Sequence, residues 1–346
     1  MTIQQRIDAF VKLGNTLTDL SCSNFDDENH PFQKVLQQAH RENAWFTKEN
    51  QLMALRAIAG MLLKNKLNEW TNHYPGLRTP NSKLQTIGLI LAGNIPAVGF
   101  HDLLCVLISG NHAAIKCSSD DKVLLKWLAD ELMKTEPAFS NAISFVERMT
   151  DVDAVIATGS DNSARYFEYY FSKYPHIIRK NRNAVAVLNG DETDVDLKNL
   201  GIDIFSFFGL GCRNVSKLYV PENYDFQNFF KAVESFSTVM NHNKYMNNYD
   251  YHHAVFLLNH VKFLTNNFLI VKEDKPISTP VSVLNYEFYK DVNALKKELN
   301  EKKEKIQCIV TAKKEIENAV PFGKAQQPEL WDYADGMDTM KFLLDL

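Results

Sequence analysis

The chain predicts an α/β fold built on a doubly wound parallel sheet. Three short apolar runs, Thr86–Ala92, His112–Lys116 and Ala154–Ala157, each stop at a glycine or polar turn, and the stretch beyond each turn has helical periodicity. Strand, turn and helix in that order, repeated, is the pattern of parallel strands joined by crossover helices. With 346 residues, 45% of them apolar, the chain is long enough for two lobes of roughly 100 to 200 residues each.

Taken in order, the first eighty or so residues are helical: Ile3–Leu13, Pro31–Ala44 and Lys48–Trp70 place apolar residues every three to four positions. Arg78-Thr79-Pro80-Asn81 breaks that pattern. The first strand ends in Gly93-Asn94-Ile95-Pro96 and is followed by an apolar helix through Leu103, Leu104 and Leu107. After Ser109-Gly110-Asn111 the second strand runs to Cys117-Ser118-Ser119-Asp120, with a helix over Lys122–Met133 behind it. The third strand ends in Thr158-Gly159-Ser160 and opens another helix. Much later, Phe208-Gly209-Leu210-Gly211-Cys212-Arg213-Asn214-Val215 leads into the strand-like Ser216–Pro221.

Composition excludes several classes. A net charge of -4 leaves no basic surface for nucleic acid, and the lysines around Lys302 and Lys313 alternate with glutamates as on a solvated helix face. No apolar run reaches the roughly 18 residues of a membrane span, and the start lacks a signal-peptide pattern, so a cytoplasmic protein is expected. Cys22, Cys105, Cys117, Cys212 and Cys308 are odd in number and scattered, which fits reduced thiols rather than a disulfide framework or a zinc site. No metal site is expected; His242, His252 and His253 fit a helix surface better than a ligand set. The two common glycine-rich nucleotide fingerprints are missing.

Ligands of doubly wound sheets collect beyond the carboxyl ends of the strands, and three loops meet there. Asn94 is either a turn former or an amide donor to an oxyanion. Lys116 is either a surface lysine or a partner for a ribose hydroxyl or phosphate. Gly159 and Ser160 are either an ordinary helix cap or a phosphate seat at a helix N-terminus. Cys212, between small residues at a loop-to-strand edge, is either a reachable nucleophile or a buried free thiol that fills space.

In sequence order these residues resemble the aldehyde dehydrogenase superfamily. Leu91-Ala92-Gly93-Asn94-Ile95-Pro96 is similar to its catalytic-asparagine turn, Gly110-Asn111-His112-Ala113-Ala114-Ile115-Lys116 to its cofactor-lysine strand, and Thr158-Gly159-Ser160 to its phosphate-side loop. Gly209-Leu210-Gly211-Cys212 falls where the catalytic cysteine belongs. The short chain, the stretch Pro321–Gln326 and the ending Asp332–Leu343 most resemble the acyl-CoA reductases of bacterial luciferase systems. The likeness implies a Rossmann-like cofactor domain over residues 1–188, including the N-terminal helices, and a second α/β domain with the catalytic cysteine and C-terminal tail over 189–346. It also implies an acyl-CoA or other activated acyl substrate, a homo-oligomer, and a partner enzyme that activates or transfers the acyl group.

Three departures sharpen that expectation. Aldehyde oxidisers carry a water-activating glutamate about 34 residues before the cysteine; the count lands on Ile178, and an isoleucine is no base. His176 is either a source of basicity nearby or, as a lone histidine beside a proline, a surface or packing residue. Three residues beyond Lys116, where a glutamate favours NAD, stands Ser119, so Lys116, Ser118 and Ser119 together suit the 2'-phosphate of NADPH, with NADH as the alternative. Pro276 stands where a glutamate grips the nicotinamide ribose, with Glu273 and Asp274 as substitutes. The expected activity is NADPH-dependent reduction of an acyl-CoA to the aldehyde through a thioacyl enzyme on Cys212. The alternatives are an aldehyde dehydrogenase or acyl-phosphate reductase of the same fold, or a non-catalytic acyl- or partner-binding relative. The aromatic clusters at Tyr166–Phe171, Phe205–Phe208 and Tyr249–Tyr251 are either core or the lining of an acyl channel.

Overall fold

A computed structural model describes residues 1–22, 30–79, 84–313 and 315–346. Pro80 and Asn81 of the expected helix break lie outside the described residues, as does the side chain of Cys22. The chain divides into two units, Met1–Lys180 with Glu329–Leu346, and Asn181–Pro328.

The first unit opens with α1 (Ile3–Cys22), α2 (Pro31–Glu42), α3 (Lys48–Met61) and α4 (Lys64–Asn72). Their starts carry the chemistry that helices require: Pro31 sits in the first turn of α2, and the Thr47 hydroxyl accepts the Asn50 N–H at α3. The single helix expected over Lys48–Trp70 is broken at Leu62-Leu63. Leu62 is fully buried beside Gly14 of α1, where a Cβ would come within 2.8 Å of it, and the extended Leu63 redirects the chain.

The sheet follows as β1 (Thr86–Ile90), α5 (Phe100–Ser109), β2 (His112–Lys116), α6 (Val123–Thr135), β3 (Ile143–Phe145), β4 (Ala154–Thr158), α7 (Asp161–Phe171) and β5 (His176–Arg179). All pairings are parallel in the order β3-β2-β1-β4-β5, with β1 flanked by both β2 and β4. The interiors of β1, β2 and β4 are buried because helices cover both faces, which is why they appear in the sequence as apolar runs rather than alternating ones. Strand order reverses between β1 and β4, and that reversal opens the crevice where such sheets bind ligands.

The second unit carries β6 (Asn183–Val187), α8 (Asp194–Phe205), β7 (Val215–Pro221), α9 (Phe226–Val233), α10 (Asn243–Leu258), β8 (Leu264–Thr265), β9 (Ile270–Glu273), β10 (Val283–Tyr289), α11 (Val292–Glu301) and β11 (Ile306–Val310). Its sheet runs β11-β6-β7-β10-β9-β8 and is parallel except for β8 against β9. Both units are thus α/β.

The last helix, α12 (Thr339–Leu344), belongs to the first unit. The sequence grouped this tail with the cysteine domain; long-range hydrogen bonds decide otherwise. Tyr333 receives the Trp70 indole N–H at 2.7 Å and bonds the Tyr74 hydroxyl at 2.8 Å, and His101 Nε2 meets the Leu330 carbonyl at 3.0 Å. Arg179 donates at 2.5 Å to Asp102 of α5 and at 2.9 Å to Thr339.

Candidate active site

Because β1, β2 and β4 are parallel, the loops beyond them share one edge of the first sheet, and six of the sequence-predicted residues lie there. Asn94 is exposed on the turn between β1 and α5. Lys116 ends β2, exposed, its ammonium making no hydrogen bond or ion pair among the described residues; Ser118 and Ser119 follow it. Gly159 and Ser160 lie between β4 and α7, and the Ser160 hydroxyl accepts the Ser163 N–H as the cap of α7. Asp161 adds a carboxylate to that first turn, so the helix end is already partly satisfied.

The β1 turn is clasped by the β2 loop. A Cβ on Gly93 would come within 2.7 Å of Ser118 Oγ, so only glycine allows the two loops to touch. Ala97 holds a left-handed φ of 55°, and its N–H donates to Asp121 Oδ2 at 2.6 Å. Asp121 is 4% exposed, and burial raises its carboxyl from the ordinary range to about 7 against the pull of the backbone N–H groups it accepts. Nothing in the sequence separates Asp121 from Asp120; its value lies in reaching back across 24 residues to fix the turn that presents Asn94.

These residues fit the ribose and phosphates of a dinucleotide. An unpaired ammonium, small hydroxyls and a glycine cradle stand at the strand-order reversal of a parallel sheet. At the position three beyond Lys116 there is a hydroxyl and no carboxylate.

In the second unit, Cys212 is partly exposed in the turn just before β7. Its loop is strained and pinned. Phe207 and Phe208 hold left-handed φ values of 51° and 57°, followed by Gly209 at 78°. Such φ costs about 1–2 kcal/mol for a residue with a Cβ. Asn214, 1% exposed, counters it. Its side chain accepts the Gly211 N–H at 2.8 Å and donates to the carbonyls of Ser206 at 2.8 Å and Asp203 at 3.0 Å. The Phe208 ring packs on His242 with centroids 4.3 Å apart, and His242 also caps α10.

On the other side, Arg213 Nε donates to the Ala325 carbonyl at 2.5 Å, while the Asp203 carboxylate accepts the N–H groups of Gly323 and Ala325 at 2.7 and 2.9 Å. The Pro321–Gln326 stretch is therefore wired to the cysteine loop through backbone groups. Burial lifts the Asp203 carboxyl to about 6.

Other expectations are corrected. His176 is no base for this edge: it begins β5, at the amino end of the sheet, where Nδ1 bonds the Tyr174 carbonyl at 2.8 Å and Nε2 faces Glu168. Ile178 packs with the apolar cluster around Val155 and Ala157. Around Pro276, Asp274 is paired with Lys272, which holds its carboxyl below the usual range, and Glu273 is exposed at the end of β9. What organises this turn is the fully buried Lys217, which donates to the carbonyls of Asp274 and Lys275 at 3.0 and 2.7 Å and pairs with Glu287. Of the α7 aromatics, Phe167 and Phe171 are core, and Tyr166, Tyr169 and Tyr170 face outward. Among the described residues, no helix is long and apolar enough to cross a membrane, and no three His, Cys, Asp or Glu converge as metal ligands.

Solved structures share this architecture. Aldehyde dehydrogenase 21 from Physcomitrella patens, in complex with the reaction product succinate, is similar with a TM-score of 0.68 at 15% identity, over 100% of this chain and 84% of that one. An NADP-dependent enzyme from E. coli gives 0.63 at 13% identity over 90% and 73%. An aldehyde dehydrogenase of Mycobacterium tuberculosis complexed with NAD+ gives 0.60 at 11% identity over 90% and 73%. At these identities the likeness is one of fold, an aldehyde dehydrogenase fold. No curated protein matches the chain in sequence. The family model described as acyl-CoA reductase (LuxC) matches residues 29–235, more than half of the 346 and a span that includes every candidate from Asn94 to Cys212. On that match, the chain belongs to the acyl-CoA reductase (LuxC) family.

Proposed function

We propose that this aldehyde-related oxidoreductase reduces an acyl-CoA thioester to the aldehyde, with NADPH as the reductant and Cys212 as the nucleophile. The observation that carries this reading is the partly exposed Cys212 on a strained loop that Asn214 holds in place. Strain kept by a surrounding network is characteristic of functional loops.

Each residue has a defined task. The Cys212 thiolate attacks the thioester carbonyl, forming a C–S bond and a tetrahedral oxyanion. That oxyanion is held by the Cys212 backbone N–H and the Asn94 amide, donors of a kind worth about 3–4 kcal/mol each. Collapse expels the coenzyme A thiolate and leaves a thioacyl enzyme. Lys116, Ser118, Ser119 and the Gly159-Ser160 loop would hold a nicotinamide dinucleotide, which when bound would supply the hydride for reduction of the thioacyl carbon. The second oxyanion then collapses, the carbon–sulfur bond breaks, and aldehyde leaves with the Cys212 thiolate restored. Lys116, Ser118, Ser119 and the Gly159-Ser160 loop hold the adenosine ribose and phosphates. The absence of a base at Ile178 favours coenzyme A over water as exchange partner of the thioacyl enzyme.

The test is Cys212→Ala assayed with acyl-CoA and NADPH. The variant should lose aldehyde formation entirely while still binding NADPH; turnover retained in it would refute the nucleophile.

A further inference from the structure

At the amino edge of the first sheet, opposite the loops of the candidate site, lies a cavity of about 1090 Å³. It is bounded by the start of α1, the end of α5, Leu84 and Gln85 just before β1, the first residue of β2, and residues of α12. Its lining is mixed, with Ile3, Leu84 and Leu344 beside Gln5, Arg78 and His112, and no Asp or Glu is among the described lining residues.

Into this space comes a cation without a counter-ion. Arg6 lies on the buried face of α1 and is 8% exposed. Its Nε is buried with no acceptor, and its guanidinium has no hydrogen bond or ion pair among the described residues. A Cβ on Gly110 would come within 2.0 Å of Nη1, so the guanidinium lies directly over the left-handed glycine that ends α5. The negative end of the α5 dipole offsets part of the burial. It does not supply an acceptor, and burial pulls the guanidinium below its ordinary value. A buried charge left in this condition is costly unless something pairs with it.

We propose that this cavity is a binding site for an amphipathic carboxylate, whose head pairs with Arg6 and whose aliphatic body lies along Ile3, Leu84 and Leu344. A guanidinium fork matches a carboxylate bidentately, and apolar surface beside a fixed charged group suits a ligand with a charged head and an aliphatic body. The site is independent of the chemistry proposed for Cys212.

Calorimetric titration of the full chain with decanoate, decanol and acetate tests this. Decanoate should bind saturably, and the neutral alcohol and the tail-less acetate should each bind at least about tenfold more weakly, since each lacks one half of the recognition. Arg6→Gln should weaken decanoate by about tenfold or more. Ala138→Trp, which fills the cavity from an exposed rim position, should do the same and carries the test if Arg6→Gln does not fold. Absence of saturable decanoate binding to the wild type, or affinity unchanged in the folded variants, would overturn the proposal.

Discussion

At the scale of single residues, two buried polar side chains do more for the proposed chemistry than their sequence neighbours suggest. Asn214 satisfies a donor and several acceptors in the stretch that leads into Cys212, so Asn214→Ala should strand several buried backbone groups at about 1–3 kcal/mol apiece. Urea unfolding should register that loss, and the reactivity of Cys212 toward a thiol reagent should change with it. Asn94→Ala should slow enzyme acylation by about a hundredfold or more without unfolding the protein, measured as the rate of coenzyme A release. Asp121 yields a pH prediction. Its carboxyl is raised to about 7, so folding favours the protonated form. That stabilisation is complete at pH values below the ordinary carboxylate range and is lost as pH climbs through about 7. Asp121→Asn should therefore flatten the fall in melting temperature between pH 4 and about 7. A residual slope should remain, because Asp203, raised to about 6, responds in the same direction. A variant with the wild-type slope would remove Asp121 from this role.

At the scale of elements, the sequence was legible where local chemistry decides structure. β1, β2 and β4 were visible because an apolar run ends in glycine or polar turn residues. β3 and β5 were not: one has three residues and the other alternates buried with half-buried positions, too little signal to compete with turn or loop. Cys212 was legible from its small neighbours, but the strain before it was not, because two phenylalanines carry no mark of a left-handed backbone. The docking of the tail was equally hidden, since it rests on pairs such as Trp70 and Tyr333, 263 residues apart. That docking is testable. The Arg179–Asp102 pair is 4–5% exposed and also reaches Thr339. Removing one partner with Arg179→Ala should cost about 3–5 kcal/mol in denaturant unfolding, while Arg179→Met combined with Asp102→Leu should recover part of it. Equal stability of the two variants would argue against a structural ion pair.

At the scale of the whole molecule, the proposed function assigns two tasks to two units: holding a dinucleotide to the first, whose sheet has at its carboxyl edge a lysine ammonium unpaired among the described residues, and forming a covalent acyl adduct to the second, which bears the pinned cysteine loop. For the first task, Ser119→Glu should reverse cofactor preference from NADPH toward NADH, because a carboxylate repels the 2'-phosphate and accepts from a free ribose hydroxyl; comparison of kcat/KM for both cofactors measures it. For the second, the most direct measurement is intact-protein mass spectrometry after mixing with acyl-CoA and no reductant. The account predicts a mass increase of one acyl group located at Cys212, matched by an equivalent of released coenzyme A and absent in Cys212→Ala. An unmodified protein, or an acyl group found on another residue, would contradict it.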